Sequence, residues 1–187
     1  VFDKIIVSSD NKKILNIAKK FGAETPFLRP SSISKNNTTT IEVVKHTIKW
    51  LLNRGHKINY VCCIYPTAPL MIRNDLINSF KKIKKKNMDF LISAAEYSYP
   101  VQKSFFLINN RIKLLHPSKH STSSQKLAKT FHDAGQFYWA RANTWLKKNS
   151  ILNSNCSVFN LPQLRVQDID NLNDWKIAEK LFKLKLK

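Results

Sequence analysis

Apolar and polar positions along this chain alternate between two periods. Ile5-Ile6-Val7 is a short apolar run that gives way to the polar SSDNKK, the pattern of a buried strand leading into a helix start. Ile14, Ile17, Ala18 and Phe21 then recur at helical spacing until Gly22 stops the run. ETPFLRP, fenced by prolines, predicts a second short extended segment. TTTIEVVKHTIKWLL is the clearest helix. Its Thr39 and Glu42 match a capping box, and Ile41, Val44, Ile48, Leu51 and Leu52 form one apolar face.

NYVCCIYPTAP predicts a buried strand running into a proline-bounded loop, and RNDLINSFKKIKKK a helix with Leu76, Ile77, Phe80 and Ile83 inward. MDFLISAAEY is the next strand. KSFFLINNRIKLL has the form of a hairpin turning at Asn109-Asn110, and a polar stretch follows from His116 to Lys129. DAGQFYWAR predicts a strand, ANTWLKK a short helix and CSVFNL a strand. The closing helix, NLNDWKIAEKLFKL, carries Asn171 as its cap and Asp174 in its first turn.

Strands alternating with helices predict an α/β fold: a mostly parallel sheet with helices on both faces, in one domain spanning residues 1–187. The hairpin region, about Tyr97 to Phe131, breaks that alternation and is expected to be an inserted arm. With 187 residues the chain is long enough for one domain with a sizeable core.

Charge changes the picture more than hydropathy does. Lys and Arg number 32 against 12 Asp and Glu, a formal net charge of +20. A basic field suits an anionic substrate such as a nucleoside triphosphate, or nucleic acid. The lysines are scattered and Arg is scarce, and no nucleic-acid fold motif is present, so nucleic acid is not the expected partner. Three cysteines make no disulfide framework and no zinc spacing. No apolar run reaches membrane-span length and no signal peptide is visible, so a cytoplasmic protein is expected.

In so basic a chain, RVQDIDNLNDW stands out. If the stretch is extended, Asp168 and Asp170 point the same way and Ile169 points inward. Two adjacent carboxylates repel unless a cation lies between them, and hard oxygen ligands beside phosphates suit Mg2+. In open α/β sheets ligands bind outside the carboxyl ends of strands. The expected ends carry Ser8-Ser9-Asp10, Tyr65-Pro66-Thr67-Ala68-Pro69, His132-Asp133-Ala134-Gly135-Gln136 and the acidic pair. Structural readings stand beside these: Asp10, Asp168 and Asp170 as helix caps and turn residues, YPTAP as a rigid turn, His132 as a surface residue. From the residues alone, a magnesium-dependent enzyme on a nucleotide-binding fold is expected.

The segments VSSDNKKILNIAKKFGAETPFLRP, VCCIYPTAPL, EYSYPVQKS, FHDAGQFYW and RVQDIDNLNDWKIAE, in this order, resemble the CMP-nonulosonate synthetases across essentially the whole chain. HDAGQFYW and CCIYPTAP favour the pseudaminic branch over the related sialic acid synthetases, with a CMP-sialic or CMP-legionaminic acid synthetase as the alternative reading. The resemblance implies a Rossmann-like nucleotidyltransferase fold. It implies transfer of CMP from CTP to a nine-carbon α-keto acid sugar, with release of pyrophosphate, for cell-surface glycan synthesis. It further implies that Asp168 and Asp170 bind the metal and serve catalysis, and that Asp10, Arg29, Thr38, Thr39 and Thr40 lie near the nucleotide. Tyr65, Pro66, Thr67, Gln102, Gln125, His132, Gln136 and Tyr138 would lie near the sugar. The arm would mediate a homodimer.

Two departures accompany it. The family's first strand and glycine-rich nucleotide loop precede the segment that matches Val1, so an N-terminally incomplete domain is expected. Ser123 stands where the family pattern has an arginine able to pair with the sugar carboxylate, a role that could pass to Lys103, Lys119 or Lys126. A basic nucleic-acid-binding protein and an inactive remnant are the competing readings.

Overall fold

A computed structural model describes residues 1–153 and 155–185. Among the described residues, five α-helices and six strands are joined by loops that include five short 3-10 turns: α1 (Lys12–Lys20), α2 (Thr40–Leu52), β1 (Tyr60–Ile64), α3 (Arg73–Lys85), β2 (Phe90–Glu96), β3 (Phe105–Ile108), β4 (Arg111–Leu114), β5 (Phe131–Arg141), α4 (Ala142–Lys147), β6 (Cys156–Asn160) and α5 (Leu172–Lys185). One sheet has the order β1-β5-β2-β6, and β3 with β4 forms a separate two-stranded sheet.

The α/β expectation holds, but the mostly parallel sheet does not. Tyr65 N–H donates to Gln136 and Ala142 N–H to Asn59, so β5 runs antiparallel to β1. Tyr97 N–H donates to Thr130, which sets the same relation between β5 and β2. Only β6 runs parallel to β2, through Asp89 to Asn155 and Leu161 to Ala94. The physical reason is the connection. A parallel neighbour needs a long crossover, usually helical, whereas β5 is reached from β2 through the hairpin region with no α-helix between. This direction brings the beginning of β5 beside the carboxyl ends of β1 and β2.

Backbone contacts divide the chain into two compact units: residues 1–63, 72–91 and 138–157, and residues 64–71, 92–137 and 158–187. In the first, Trp139 stacks with Phe2 and Phe80 at 5.4 and 4.9 Å and donates its indole N–H to Ser79 Oγ. Trp145, fully buried, meets Phe90 edge-on and donates to the Val61 carbonyl. The predicted capping box is present: Thr39 Oγ1 accepts from Glu42 N–H while Glu42 accepts from Thr39 N–H. Donation from the Thr39 N–H, and then from its hydroxyl, holds the Glu42 carboxyl below its ordinary pKa. Ile41, Val44, Ile48 and Leu51 are buried, but Leu52 turns outward.

Two further expectations fail in this unit. Ile5–Val7 forms no strand, only a parallel bridge from Ile6 to Glu24, and Ile5 is exposed. The apolar face of α1 is also exposed at Ile14 and Ile17, with Phe21 beyond it 88% exposed, and only Leu15 is buried. Helical spacing identifies a helix without saying what covers its apolar side.

In the second unit, Phe137, Ala134, Ile92, Ala94, Leu161 and Ala178 are buried. The hairpin forms as expected, pairing Phe105 with Leu114 through Ile108 with Arg111. Asn109 and Asn110 adopt φ of 51° and 60°, the left-handed pair that a two-residue hairpin turn requires and that Asn tolerates without Gly.

Candidate active site

The second unit holds nine of the fifteen expected site residues, and Tyr65, His132, Gln136 and Asp168 lie along or beside the first half of β5. Gly135 has φ of +60°, and its N–H donates to Asp133 Oδ1 at 2.9 Å. The next two backbone N–H groups, of Gln136 and Phe137, both donate to the Oγ of buried Ser93 on β2, at 3.2 and 3.0 Å. In a regular strand successive N–H groups point to opposite sides, so two aimed at one oxygen mark a bulge. The bulge turns the open face of Gly135 toward the acidic segment: a Cβ placed there would lie 3.9 Å from Asp168 Oδ1.

Gln136 is 3% exposed. Its carbonyl accepts from Tyr65 N–H at 2.9 Å, and its Nε2 donates to the Arg165 carbonyl. One side chain thus ties β5 to the segment carrying Asp168, and its backbone ties β5 to the start of the YPTAP loop. Its Oε1 is buried with no hydrogen-bond partner among the described residues. An unpaired buried acceptor is costly, and such groups collect where a ligand supplies the missing donor.

The acidic pair does not end a strand. β6 stops at Asn160, and Asp168 and Asp170 follow a short 3-10 turn, Gln163–Arg165. The alternation nevertheless holds: both aspartates are exposed and Ile169 is half-buried. Among the described residues, Asp168 Oδ1 accepts only its neighbour's N–H, from Ile169 at 3.1 Å, and the Asp170 carboxylate has no partner. The helix-capping work falls to others. Asn171 Oδ1 accepts from Asn173 and Asp174, and Asp174 Oδ2 accepts from Asp170 and Asn171. The two carboxylates are therefore left open to a hard cation. No group of three or more His, Cys, Asp or Glu side chains among the described residues could complete a cage. A cation held here would take its other ligands from phosphate and water, the usual manner of Mg2+.

The remaining sugar-side candidates of this unit are more dispersed. Pro66 and Thr67 are exposed in the loop after β1, and Tyr65 is half-buried. His132 packs against Tyr97 at 4.9 Å, with Nδ1 2.9 Å from the Asp133 carbonyl. Gln102 donates to the Ala128 carbonyl at 3.0 Å and keeps a buried Oε1 without a partner among the described residues. Gln125 is exposed in a short 3-10 turn of the arm.

The first unit holds the others. Arg29 is pinned by Ser34 Oγ at 3.1 Å and by Asp10 at 3.5 Å. Thr38 Oγ1 accepts from Lys35 N–H, Thr39 is the cap of α2 and Thr40 its first residue. Tyr138 lies in this unit, buried to 4%. Burial, and then the Arg29 charge, lower the pKa of His46. Burial also pushes the Cys63 thiol up to about 12 and raises Cys62 well above the ordinary value, so neither supplies a thiolate nucleophile. Residues missed from sequence are Ser93, Gly135 as the bulge, and Arg165. A glycine inside an apolar strand pattern was the available signal for the bulge.

The sequence profile of the cytidylyltransferase family matches residues 1–169, and the chain belongs to that family. It is 36% and 35% identical, over 185 residues in each case, to two pseudaminic acid cytidylyltransferases from strains of Campylobacter jejuni. Each alignment covers 98% of this chain and 80% of the relative. Among solved structures, CMP:2-keto-3-deoxy-manno-octonic acid synthetase complexed with CTP aligns with a TM-score of 0.65 at 9% identity. That alignment covers 97% of this chain and 81% of the other, a likeness of fold.

Proposed function

We propose that this chain is a magnesium-dependent cytidylyltransferase that transfers CMP from CTP to pseudaminic acid, a nine-carbon α-keto acid sugar, and releases pyrophosphate. The family membership and the two C. jejuni relatives support the class of reaction and the acceptor. The observation that carries the reading is the open carboxylate pair, Asp168 and Asp170, standing beside the Gly135 bulge.

In this reading the anomeric hydroxyl oxygen of the sugar attacks the α-phosphorus. The bond from that phosphorus to the oxygen bridging the β-phosphorus breaks, the electron pair leaves with pyrophosphate, and the hydroxyl proton passes to solvent. Asp168 and Asp170 would hold Mg2+, which when bound supplies charge compensation for the phosphates. Most of what the protein contributes is positioning and electrostatics. Arg29, with Asp10 fixing its guanidinium and Thr38 to Thr40 nearby in sequence, serves the nucleotide phosphates. Gln136 Oε1 and Gln102 Oε1 offer acceptors to sugar hydroxyl or amide donors. The arm is the homodimer contact: Phe105, Phe106, Leu107, Ile108 and Ile112 are all exposed on the hairpin, an apolar surface that association would cover.

The test is pyrophosphate release from CTP, Mg2+ and pseudaminic acid. Asp168→Ala/Asp170→Ala is expected to lower turnover on the order of 10²-fold or more with unchanged circular dichroism. No release by the native chain, or undiminished release by the variant, overturns the proposal.

A further inference from the structure

β6 follows β2 only as far as the rung in which Leu161 N–H donates to the Ala94 carbonyl at 2.8 Å. Rungs on one edge of a parallel strand recur at every second residue, so the next would carry the Gln163 N–H to the Glu96 carbonyl. Among the described residues that backbone rung does not form. Pro162 instead leads the chain into the 3-10 turn Gln163–Arg165. A cleft of about 380 Å³ opens there, with Glu96, Tyr97 and Ser98 on one side and Pro162 and Gln163 on the other. Leu164, in the middle of the turn, is 71% exposed, so its side chain does not press the turn onto the sheet.

The side chain of Gln163 supplies the lost rung. Its Nε2 donates to the Glu96 carbonyl at 2.6 Å, and its Oε1 accepts from Ser98 Oγ at 2.9 Å. Both ends of the amide are therefore used, which fixes its orientation: turned over, it would set an oxygen against the Glu96 carbonyl. The point it grips is itself held. Tyr97 N–H donates to the Thr130 carbonyl at 3.0 Å, and Lys129 pairs with the Glu96 carboxylate at 3.0 Å.

Two residues beyond Gln163, the Arg165 carbonyl accepts from Gln136 Nε2 on β5. Past that point the hydrogen bonds turn local, with Gln167 Nε2 donating to the Asp168 carbonyl and Ile169 N–H to Asp168 Oδ1. The stretch carrying Asp168 and Asp170 is thus placed by its two ends, the turn on one side and the Asn171 cap of α5 on the other.

We infer that Gln163 is a positioning residue for the acidic pair: it moors the turn to β2, as Gln136 moors it to β5, and so holds Asp168 in its place beside Gly135. The inference rests on the function proposed above and gives Gln163 no contact with substrate. A group of this kind acts on metal affinity through the ligands it orients.

Its test uses the full chain with Mn2+ in place of Mg2+. Binding at saturating CTP is read by water-proton relaxation enhancement, and turnover with CTP, Mg2+ and pseudaminic acid is measured beside it. Gln163→Met keeps an unbranched side chain of similar length and removes both hydrogen bonds. It is expected to weaken Mn2+ binding about fivefold and to raise the Mg2+ concentration for half-maximal turnover by the same factor. At saturating Mg2+ the KM values for CTP and for the sugar stay within about twofold. Ser98→Ala leaves the bond to Glu96 in place; it is expected to weaken Mn2+ binding about twofold and carries the test should Gln163→Met not fold.

Unchanged Mn2+ affinity in the folded variants, with or without a lower Tm, makes the glutamine a support of the fold alone and overturns the inference. So does a change confined to the sugar KM. Either result leaves the proposed function standing, provided that Asp168→Ala/Asp170→Ala abolishes Mn2+ binding. A native chain that holds no Mn2+ at saturating CTP, or a double variant that holds it as tightly, overturns the metal reading and the inference together.

Discussion

Ser93 offers the sharpest test of how the site is held. It is fully buried on β2, and its hydroxyl oxygen receives two consecutive backbone N–H groups, from Gln136 and Phe137. Ser93→Ala removes that oxygen and leaves two buried donors beside a bulge that cannot re-pair them without moving the strand. Each unsatisfied donor costs about 1–3 kcal/mol, and with partial relaxation the pair should cost about 3 kcal/mol. For a chain of this size that lowers Tm by roughly 6–12 °C. Ser93→Cys keeps a weaker acceptor at nearly the same volume and should lose about half as much. Urea denaturation followed by two probes, with linear extrapolation, measures both. The bulge also sets Gly135 against Asp168 and Gln136 against Arg165. Half-saturation by Mg2+ in turnover should therefore rise more than the KM for CTP. If Ser93→Ala unfolds within about 0.5 kcal/mol of the native chain, the bulge is not maintained by this hydroxyl and the reasoning fails.

Two further expectations concern the rest of the molecule. The folded-state pKa of His46 lies below its unfolded value, so the unfolded chain binds the extra proton first; the stabilising contribution is complete above about pH 6.5 and is lost as pH falls below it. His46→Gln should flatten that acid-side loss in a pH series of denaturation midpoints, and an unchanged slope would assign the loss to other groups. On the hairpin, Leu107 and Ile112 are cross-strand partners and both exposed, so Leu107→Lys/Ile112→Lys should convert a dimer to a monomer in sedimentation velocity. A native chain that sediments as a monomer would remove the dimer from the proposal.

What could be read from the chain divides by the range of the interaction that decides it. Thr39 with Glu42, the Asn109-Asn110 turn and the Asn171 cap were legible because their partners lie within four residues and their chemistry is local. The direction of β5 was not. Alternating apolar residues mark a strand equally well in either sense, and only the missing crossover helix before it carried the information. The outward face of α1 was illegible for a related reason: Ile14, Ile17 and Phe21 keep helical spacing whether or not anything packs on them. The acidic pair was visible as a spacing, but its setting depends on Gly135, Gln136 and Ser93, which lie 32 to 77 positions away in the chain. Gln136 shows the limit most clearly. Read in its motif it is a sugar ligand; in the fold one N–H of its amide is committed to the Arg165 carbonyl, and its oxygen is the atom left without a partner among the described residues. A motif names which residues gather at a site. Which of their atoms are still unspoken for is decided by long-range hydrogen bonds, and it is those atoms that set what the site can bind.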